Sequence, residues 1–163
     1  MLFCTVIAQN FVPHARVLAE SLAEHHPGCR LDVLVLDAPE PSGSRGPFRW
    51  LSFDALPLSR AEINRRRTMY DTAALASSLR GPLLEACLAR NEGPVLYLDA
   101  DMLVLAPLDD VEALAQRHGI VLTPHSAVPL PFQPNGFGPE QGFLHSGVSV
   151  SYTHLTLPTI YSV

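Results

Sequence analysis

The chain has 163 residues, of which 47% are hydrophobic and 17% charged, and its formal net charge is −5. That length favours a single domain with a sizeable core, and a mildly acidic chain without a basic stripe argues against nucleic acid as the main partner. Because no apolar run approaches the roughly 18 residues that a membrane span needs, and because the N-terminus lacks signal-peptide features, we expect a cytoplasmic protein of bacterial type.

The first part of the chain alternates strand and helix signals. Leu2 to Ala8 is an apolar run of strand length that polar Gln9 and Asn10 close. A helix should follow and end at Pro27-Gly28, with an apolar face made of Phe11, Ala15, Leu18 and Leu22. Leu31 to Leu36 predicts a second buried strand, and this strand–helix–strand order predicts a right-handed parallel crossover.

A loop and a third strand come next. The loop, rich in proline, glycine and serine, covers Ala38 to Pro47, and Arg49 to Phe53 predicts the strand. The tetrad Ser59-Arg60-Ala61-Glu62 has the form of a capping box, in which the first and last side chains each bond the other residue's backbone N–H. It should begin a helix that runs through the three arginines Arg65 to Arg67.

Two further helical segments are predicted before the next strand. Asp71 is the expected N-cap of a helix from Thr72 to Leu79. The dipeptide Gly81-Pro82 should break that helix, because proline lacks a backbone N–H and clashes with the preceding turn. A second segment is then expected from Pro82 to Arg90.

The most informative segment places two carboxylates at the end of a short buried strand. Val95 to Leu98 is apolar and too short for a helix, and Asp99 and Asp101 follow it directly. Open α/β sheets bind ligands at the carboxyl ends of their strands. Two carboxylates in such a crevice are costly unless a cation lies between them, and Mg²⁺ or Mn²⁺ takes carboxylate oxygens together with substrate phosphates. The segment therefore predicts a metal site that holds a phosphorylated ligand.

The remaining elements complete an α/β pattern. In chain order we predict an extended segment from Leu103 to Ala106, a helix capped by Asp109 or Asp110 that ends at Gly119 after His118, a strand from Ile120 to Thr123 and a last strand from Gly142 to Val148. Ser149 to Val163 contains no alanine, arginine, glycine or acidic residue, and Val150 to Thr159 resembles the translation of a transposon-end sequencing adapter. We therefore expect a partial domain over residues 1–148 and a non-native tail over 149–163.

With this order of elements, the chain resembles the nucleotide-sugar-dependent glycosyltransferases of the GT-A fold, in particular bacterial members like those of family 8. Val95 to Leu108 matches the pattern hhYLDADhhVhxPL, where h is apolar and x is any residue. Thr5 to Asn10 resembles the segment that lines the nucleotide base. Phe143 to Val148 is similar to the family's Phe-Asn-Ser-Gly-Val strand near the donor sugar, with His145 in place of the asparagine.

The resemblance implies a three-layer α/β/α, Rossmann-like GT-A fold with a mainly parallel sheet, incomplete at its C-terminus. It implies metal-dependent transfer of a sugar, with Mn²⁺ or Mg²⁺ as the cofactor, from a nucleotide-sugar to a glycan, lipid or protein acceptor. A UDP-sugar is the expected donor. Asp101 would bind the metal, Asp99 the metal or the ribose hydroxyls, and Arg80 the phosphates. The family's third metal ligand is a histidine beyond residue 148, so this chain should be inactive alone.

Other residues are weaker candidates for donor contacts. Ala8, Gln9 and Asn10 would line the nucleotide, and His145 would lie near the donor sugar. Asp71, next to Tyr70, is a candidate donor contact as well as a helix cap. Three sets of side chains have ordinary structural interpretations beside a ligand role: a solvated helix face for Arg65 to Arg67, a strand exit for His125, and a helix end for His25-His26.

Two other functions fit parts of the pattern. Phosphatases of the haloacid dehalogenase kind also carry Asp-x-Asp after a strand, with the first aspartate as nucleophile. Their motif normally lies near the N-terminus and they use a downstream lysine, whereas this chain has no lysine. A non-catalytic α/β domain that binds a nucleotide without turnover is the second alternative. Gly-rich dinucleotide or P-loop motifs are absent from the sequence.

Overall fold

The computed structural model describes residues 1–38, 48–91, 93–124 and 144–151, the side chains of 123, 124 and 144–151 excepted. Within these residues a six-stranded sheet has the order β3-β2-β1-β4-β6-β5. Its strands are β1 (Leu2–Ile7), β2 (Leu31–Val35), β3 (Phe48–Leu51), β4 (Val95–Leu98), β5 (Ile120–Pro124) and β6 (Leu144–Ser151). The α-helices are α1 (Val12–His25), α2 (Arg60–Met69), α3 (Thr72–Leu88) and α4 (Asp109–His118).

The sheet is mainly parallel, as predicted. β1 pairs in parallel with β2 on one side and with β4 on the other, and β2 pairs in parallel with β3. β6 runs antiparallel to both β4 and β5. β1 and β2 are therefore a parallel pair joined by α1, as the strand–helix–strand order predicts. Parallel strands need such a crossover connection, which is usually a helix.

Alternating side chains on the parallel strands divide the core into two layers. On β1, Phe3 and Ile7 pack into a cluster with α1 and α4, whereas Cys4 and Val6 pack into a cluster with α3. Helices thus cover both faces of the sheet, which accounts for the continuous burial of β1, β2 and β4. The three-layer α/β/α prediction is confirmed.

The segment before α1 departs from the prediction. Phe11 does not lie on the buried helix face; it is 39% exposed and ends a short 3-10 turn, Gln9–Phe11. The physical reason is the extended backbone of Ala8, whose carbonyl accepts the Phe11 N–H at 2.9 Å, so the chain makes one tight turn before the α-helix begins. The buried face of α1 consists of Ala15, Leu18, Ala19, Ser21 and Leu22.

The predicted break in α3 is wrong, because the helix runs through Pro82 without interruption. A proline at this position leaves the carbonyl of Ser78, four residues earlier, without its helical donor. Arg66 of α2 supplies the missing donor, from Nη1 to the Ser78 oxygen at 2.7 Å. A tertiary contact thereby satisfies the acceptor that sequence reasoning left without a partner.

The starts of the helices were predicted with mixed success. The capping box is confirmed: the Glu62 N–H donates to Ser59 Oγ at 3.2 Å, and the Ser59 N–H donates to Glu62 Oε2 at 2.9 Å. For α4, the prediction that Asp109 or Asp110 is the cap is wrong. Leu108 occupies the cap position without a side-chain bond. Both aspartates lie in the first turn, where their negative charge interacts favourably with the positive end of the helix dipole.

The last strand extends past its predicted end. β6 runs from Leu144 to Ser151, so residues 149–151 belong to it, whereas residues 142, 143 and 152–163 lie outside the described ones. The boundary at 148 and the non-native tail stay predictions.

Leu103 to Ala106, predicted as an extended segment, is not a strand of the sheet. Within the described residues, no helix has the length and apolar character needed to cross a membrane.

Candidate functional site

The order of the parallel strands places a switch point between β1 and β4. From β1 the chain moves outward through β2 and β3, and then returns to place β4 on the other side of β1. At such a switch point the loops leaving the two strands diverge and leave a ligand-sized gap at their carboxyl ends. The loops that leave β1 and β4 here begin at Ala8 and Asp99, respectively. The topology therefore brings two predicted groups of site residues to one sheet edge.

The two carboxylates occupy a tight turn. The Met102 N–H donates to the Asp99 carbonyl at 3.2 Å and closes a four-residue turn directly after β4. Ala100, between the carboxylates, is buried in the same apolar cluster as Val104. Asp101 is exposed, whereas the Asp99 side chain is only 25% exposed. The buried alanine anchors the turn, so that Asp101 faces solvent while Asp99 lies against the protein.

Asp99 forms an ion pair with Arg80 of α3. Strand alternation puts Val95 and Tyr97 on the α3 face of the sheet, and Asp99 continues the same alternation. Arg80 Nη2 lies 3.0 Å from Asp99 Oδ1, and the Arg80 guanidinium carbon lies 5.1 Å from the centre of the Tyr97 ring. Burial raises the pKa of Tyr97 to about 12, although the positive charge of Arg80 acts in the opposite direction. The phenol is therefore neutral at physiological pH, and Arg80 provides positive charge beside the turn.

The loop after β1 is fixed by a residue that sequence analysis did not single out as a site residue. Gln9 and Asn10 are exposed, Ala8 is buried, and the Gln9 N–H donates to Asp37 Oδ1 at 2.7 Å. Asp37 follows β2, the strand next to β1. The sequence signal that could have identified Asp37 is an acidic residue directly after a predicted parallel strand, because the carboxyl ends of parallel strands lie at the same edge of the sheet. The site edge thus carries a third carboxylate.

Two side chains of α1 hold the segment that follows the carboxylate turn. Ser21 Oγ accepts the Val104 N–H at 3.1 Å, and His26 Nε2 accepts the Leu108 N–H at 3.0 Å. His26 occupies the C-cap position of α1, as its predicted helix-end role requires, and it also packs against the Phe3 ring. These contacts explain why the segment from 103 to 108 is held in place without strand pairing.

The other predicted site residues lie in different places. Asp71 is exposed and N-caps α3 by accepting the Ala74 N–H at 2.8 Å. It precedes Arg80 by nine residues, which corresponds to about 13 Å along the helix. His145 belongs to β6, where Val148 pairs with Leu98; because these strands are antiparallel, residues before Val148 extend towards the carboxyl end of β4. His125 lies outside the described residues.

The three consecutive arginines of α2, Arg65 to Arg67, do not form one cluster. Arg66 donates to the Ser78 carbonyl, and the Arg67 guanidinium carbon lies 5.5 Å from the centre of the Phe53 ring. Arg65 is exposed. The interpretation of a solvated helix face holds for exposed Arg65 and Arg67, whereas Arg66 is partly buried.

A second charge cluster, missed by sequence analysis, lies away from the carboxyl edge. Asp32, near the start of β2, is fully buried and accepts from Arg49 Nε at 2.7 Å and from Arg49 Nη2 at 2.6 Å. Arg90 Nη2 also lies 2.6 Å from Asp32 Oδ2. A carboxylate inside an apolar strand requires such partners, and Arg49 pairs with Asp32 on the neighbouring strand. We interpret this cluster as structural.

The carboxylate turn offers two ligands to a divalent cation, Asp99 and Asp101. In the part of the chain that the structure describes, no three metal-ligating side chains come together. Mg²⁺ and ions like it are often held by one or two carboxylates with the substrate phosphates and water completing the shell. Exposed Asp101 and partly exposed Asp99, one residue apart on a closed turn, fit that kind of site and not a cage made only of protein ligands.

Comparisons with known proteins give a consistent fold. The chain matches no family model and no curated protein. Among solved structures, it is similar to the galactosyltransferase LgtC in complex with donor and acceptor sugar analogues, with 19% identity and a TM-score of 0.58, over 94% of this chain and 58% of that one. It is also similar to the glycosyltransferase GlyE of Streptococcus pneumoniae TIGR4, with 15% identity and a TM-score of 0.56, over 94% of this chain and 34% of that one.

A third similar structure is the apo form of the bifunctional glycosyltransferase WbbM, with 13% identity and a TM-score of 0.56, over 94% of this chain and 31% of that one. At these identities the likeness shows a shared fold, and the chain has the GT-A fold of these glycosyltransferases. It spans 58% or less of the length of each of these structures.

Proposed function

We propose that this chain is the nucleotide-sugar-binding part of a metal-dependent glycosyltransferase that uses a UDP-sugar with Mn²⁺ or Mg²⁺. The observation that carries the proposal is the closed turn bearing Asp99 and Asp101 at the β1/β4 switch point, in a fold shared with glycosyltransferases. LgtC was solved with donor and acceptor sugar analogues, which favours a sugar-transfer role for this fold. The YLDAD pattern favours a family 8-like member.

The two carboxylates have different proposed roles because their surroundings differ. Asp101 is exposed and can reach a metal held on the diphosphate, whereas Asp99 is partly buried and is oriented by Arg80. When bound, the metal would neutralise the negative charge that develops on the departing nucleoside diphosphate. Arg80 would add a second positive charge there, from a guanidinium held by an aromatic ring and a carboxylate.

The β1 loop is proposed to contact the nucleoside. Gln9 and Asn10 present exposed amide groups, and the bond from the Gln9 N–H to Asp37 fixes the loop from behind. Amide donors and acceptors on a fixed loop are suited to the hydrogen-bonding edge of a base or to ribose hydroxyls. His145 on β6 is proposed to lie near the donor sugar, from its place at the same sheet edge.

The experiment that tests this function is a binding panel of nucleoside diphosphates. The chain would be titrated by calorimetry with UDP, GDP, ADP and CDP, each in the presence of Mn²⁺. We expect UDP to bind most tightly, and UDP-sugars to bind with similar affinity. Failure of all four diphosphates to bind would contradict the proposal. Trapping of a phosphate mimic on Asp99 would favour the phosphatase alternative instead.

A further inference from the structure

A second concave site lies on the same sheet edge, away from the carboxylate turn. It is a cavity of about 330 Å³ between the carboxyl ends of β2 and β3 and the helix α2. Because β4 lies two strand positions from β2, the Asp99 turn is about 10 Å or more away across the sheet. Ligand cavities typically run from about 300 to 1,000 Å³, so this one suits a monosaccharide-sized molecule and is too small for a dinucleotide.

The cavity carries an excess of positive charge. Arg60 and Arg67 of α2 line it, and Asp54 is the carboxylate among the lining side chains. Neither guanidinium forms an ion pair with another described residue, in contrast to Arg49 and Arg90, whose guanidiniums are held by Asp32. Arg60 also occupies the first position of α2, where the backbone N–H groups point towards the N-terminal end of the helix. The positive charge of Arg60 and Arg67 therefore suits this cavity to an oxyanion.

Trp50 and Asn64 are the lining residues of the cavity whose side chains carry an uncharged N–H donor. The Trp50 Nε1 atom is buried and makes no hydrogen bond with any described residue, although the Trp50 ring packs against Phe48 at 5.1 Å. The Trp50 side chain also lines the cavity, so its emission reports on what the cavity holds. The Asn64 amide on the facing helix also lines the cavity and can donate or accept.

The remaining wall is apolar and partly aromatic. Val35, Leu51 and Ile63 line it, and the Phe53 ring is covered by the Arg67 guanidinium at 5.5 Å. Aromatic and apolar walls with a few placed polar groups are the usual lining of a small-molecule site. We propose that this cavity binds a monosaccharide-sized ring that bears an oxyanion, with the anion between Arg60 and Arg67 and a ring hydroxyl on the Asn64 amide. The proposal is independent of the donor site.

The experiment uses the intrinsic fluorescence of Trp50, which is the only tryptophan of the chain. The 163-residue chain would be titrated with glucose 6-phosphate and with glucuronate, and with neutral glucose as the uncharged probe. We expect a saturable change of emission with at least one of the two charged sugars and a much weaker response to glucose. No saturable response to either charged sugar, or equal affinity for glucose, overturns the proposal.

Variants on one helix separate a site from a general charge effect. Arg60→Gln should lower the affinity for the charged sugar at least fivefold, and Arg65→Gln, which changes an exposed arginine outside the cavity, should leave it unchanged. Arg67→Gln should act like Arg60→Gln, with a melting temperature measured to separate lost packing on Phe53 from lost binding. Asp101→Asn should not change this affinity. Equal losses in the Arg60 and Arg65 variants, or loss in Asp101→Asn, contradict the assignment.

Discussion

Arg80 donates to Asp99 at 3.0 Å while its guanidinium lies over the Tyr97 ring, so one cation contacts both the strand β4 and the turn that follows it. Replacing Arg80 by Gln should weaken UDP binding in the presence of Mn²⁺ about tenfold, because a charge-assisted hydrogen bond contributes about 1.5 kcal/mol or more. Calorimetry measures the change. The control is Arg117→Gln, at an exposed position of α4, which should leave the affinity unchanged. Equal UDP affinities of the Arg80 variant and the unmodified chain would count against a phosphate role for Arg80.

The buried phenol of Tyr97 predicts a loss of stability at alkaline pH. Its pKa is raised from 10.0 to about 12 by burial, so as the pH rises the unfolded chain loses this proton before the folded chain does. The contribution of Tyr97 to the free energy of unfolding is therefore constant below pH 10 and falls by about 2–3 kcal/mol as the pH approaches 12. Urea unfolding at several pH values across this window measures the slope.

Two tyrosine variants identify the source of that slope. Tyr97→Phe should remove most of it, although the buried Cys4 thiol, whose pKa burial also raises, should leave a part. Tyr70→Phe, at an exposed position, should keep the full slope. The interpretation would be wrong if both variants lost stability with pH as the unmodified chain does.

Arg66 and Pro82 should be coupled through the Ser78 carbonyl. Arg66→Met removes the donor to a carbonyl that Pro82 cannot satisfy, and should lower the free energy of unfolding by about 1–3 kcal/mol. In a Pro82→Ala background the helix regains its own backbone donor, so the same Arg66 change should cost less. Chemical denaturation of the four proteins in this cycle gives the coupling energy. Arg65→Met is the exposed control, and additive effects of Arg66→Met and Pro82→Ala would refute the coupling.

The Asp32 cluster should be a requirement for stability and not for ligand binding. Asp32→Asn removes the charge that faces Arg49 and Arg90, and should cost about 2–3 kcal/mol, less than a fully buried pair because both arginines are partly exposed. Glu85→Gln on exposed α3 surface is the control. Denaturant midpoints measure the cost, while UDP affinity of the folded protein should be unchanged. A midpoint that does not move would show that the ion pairs contribute no net stability.

Strands β1, β2 and β4 were predictable from sequence because each is a short, mainly apolar run next to polar or turn residues. The predicted bounds of β4, Val95 to Leu98, agree with the structure at both ends, and the predicted ends of β1 and β2 differ from the observed ones by one residue. Their order in the sheet was not readable in the same way. That Asp99 and Gln9 leave neighbouring strands depends on β4 pairing with β1, a long-range contact that local patterns do not encode.

Two departures from local rules share a physical cause, which is that a distant side chain satisfied a group that those rules left without a partner. Pro82 does not break α3 because Arg66 bonds the Ser78 carbonyl, and the segment after Val104 needs no strand partner because Ser21 and His26 accept its N–H groups. Asp32 was detectable in principle, since a carboxylate in an apolar strand requires a cation on a neighbouring element. The identity of that cation becomes evident only from the register of β2 and β3.

The most direct test of the central claim is a calorimetric titration of UDP into Asp101→Asn, with and without Mn²⁺. The unmodified chain should bind UDP much more tightly with Mn²⁺ than without it, and Asp101→Asn should lose that difference while keeping its melting temperature, because Asp101 is exposed. Asp109→Asn, an exposed aspartate in the first turn of α4, should keep the Mn²⁺ effect. UDP binding that does not depend on Mn²⁺, or an Asp101→Asn variant with unchanged Mn²⁺-dependent affinity, would contradict a metal-assisted diphosphate site at the turn after β4.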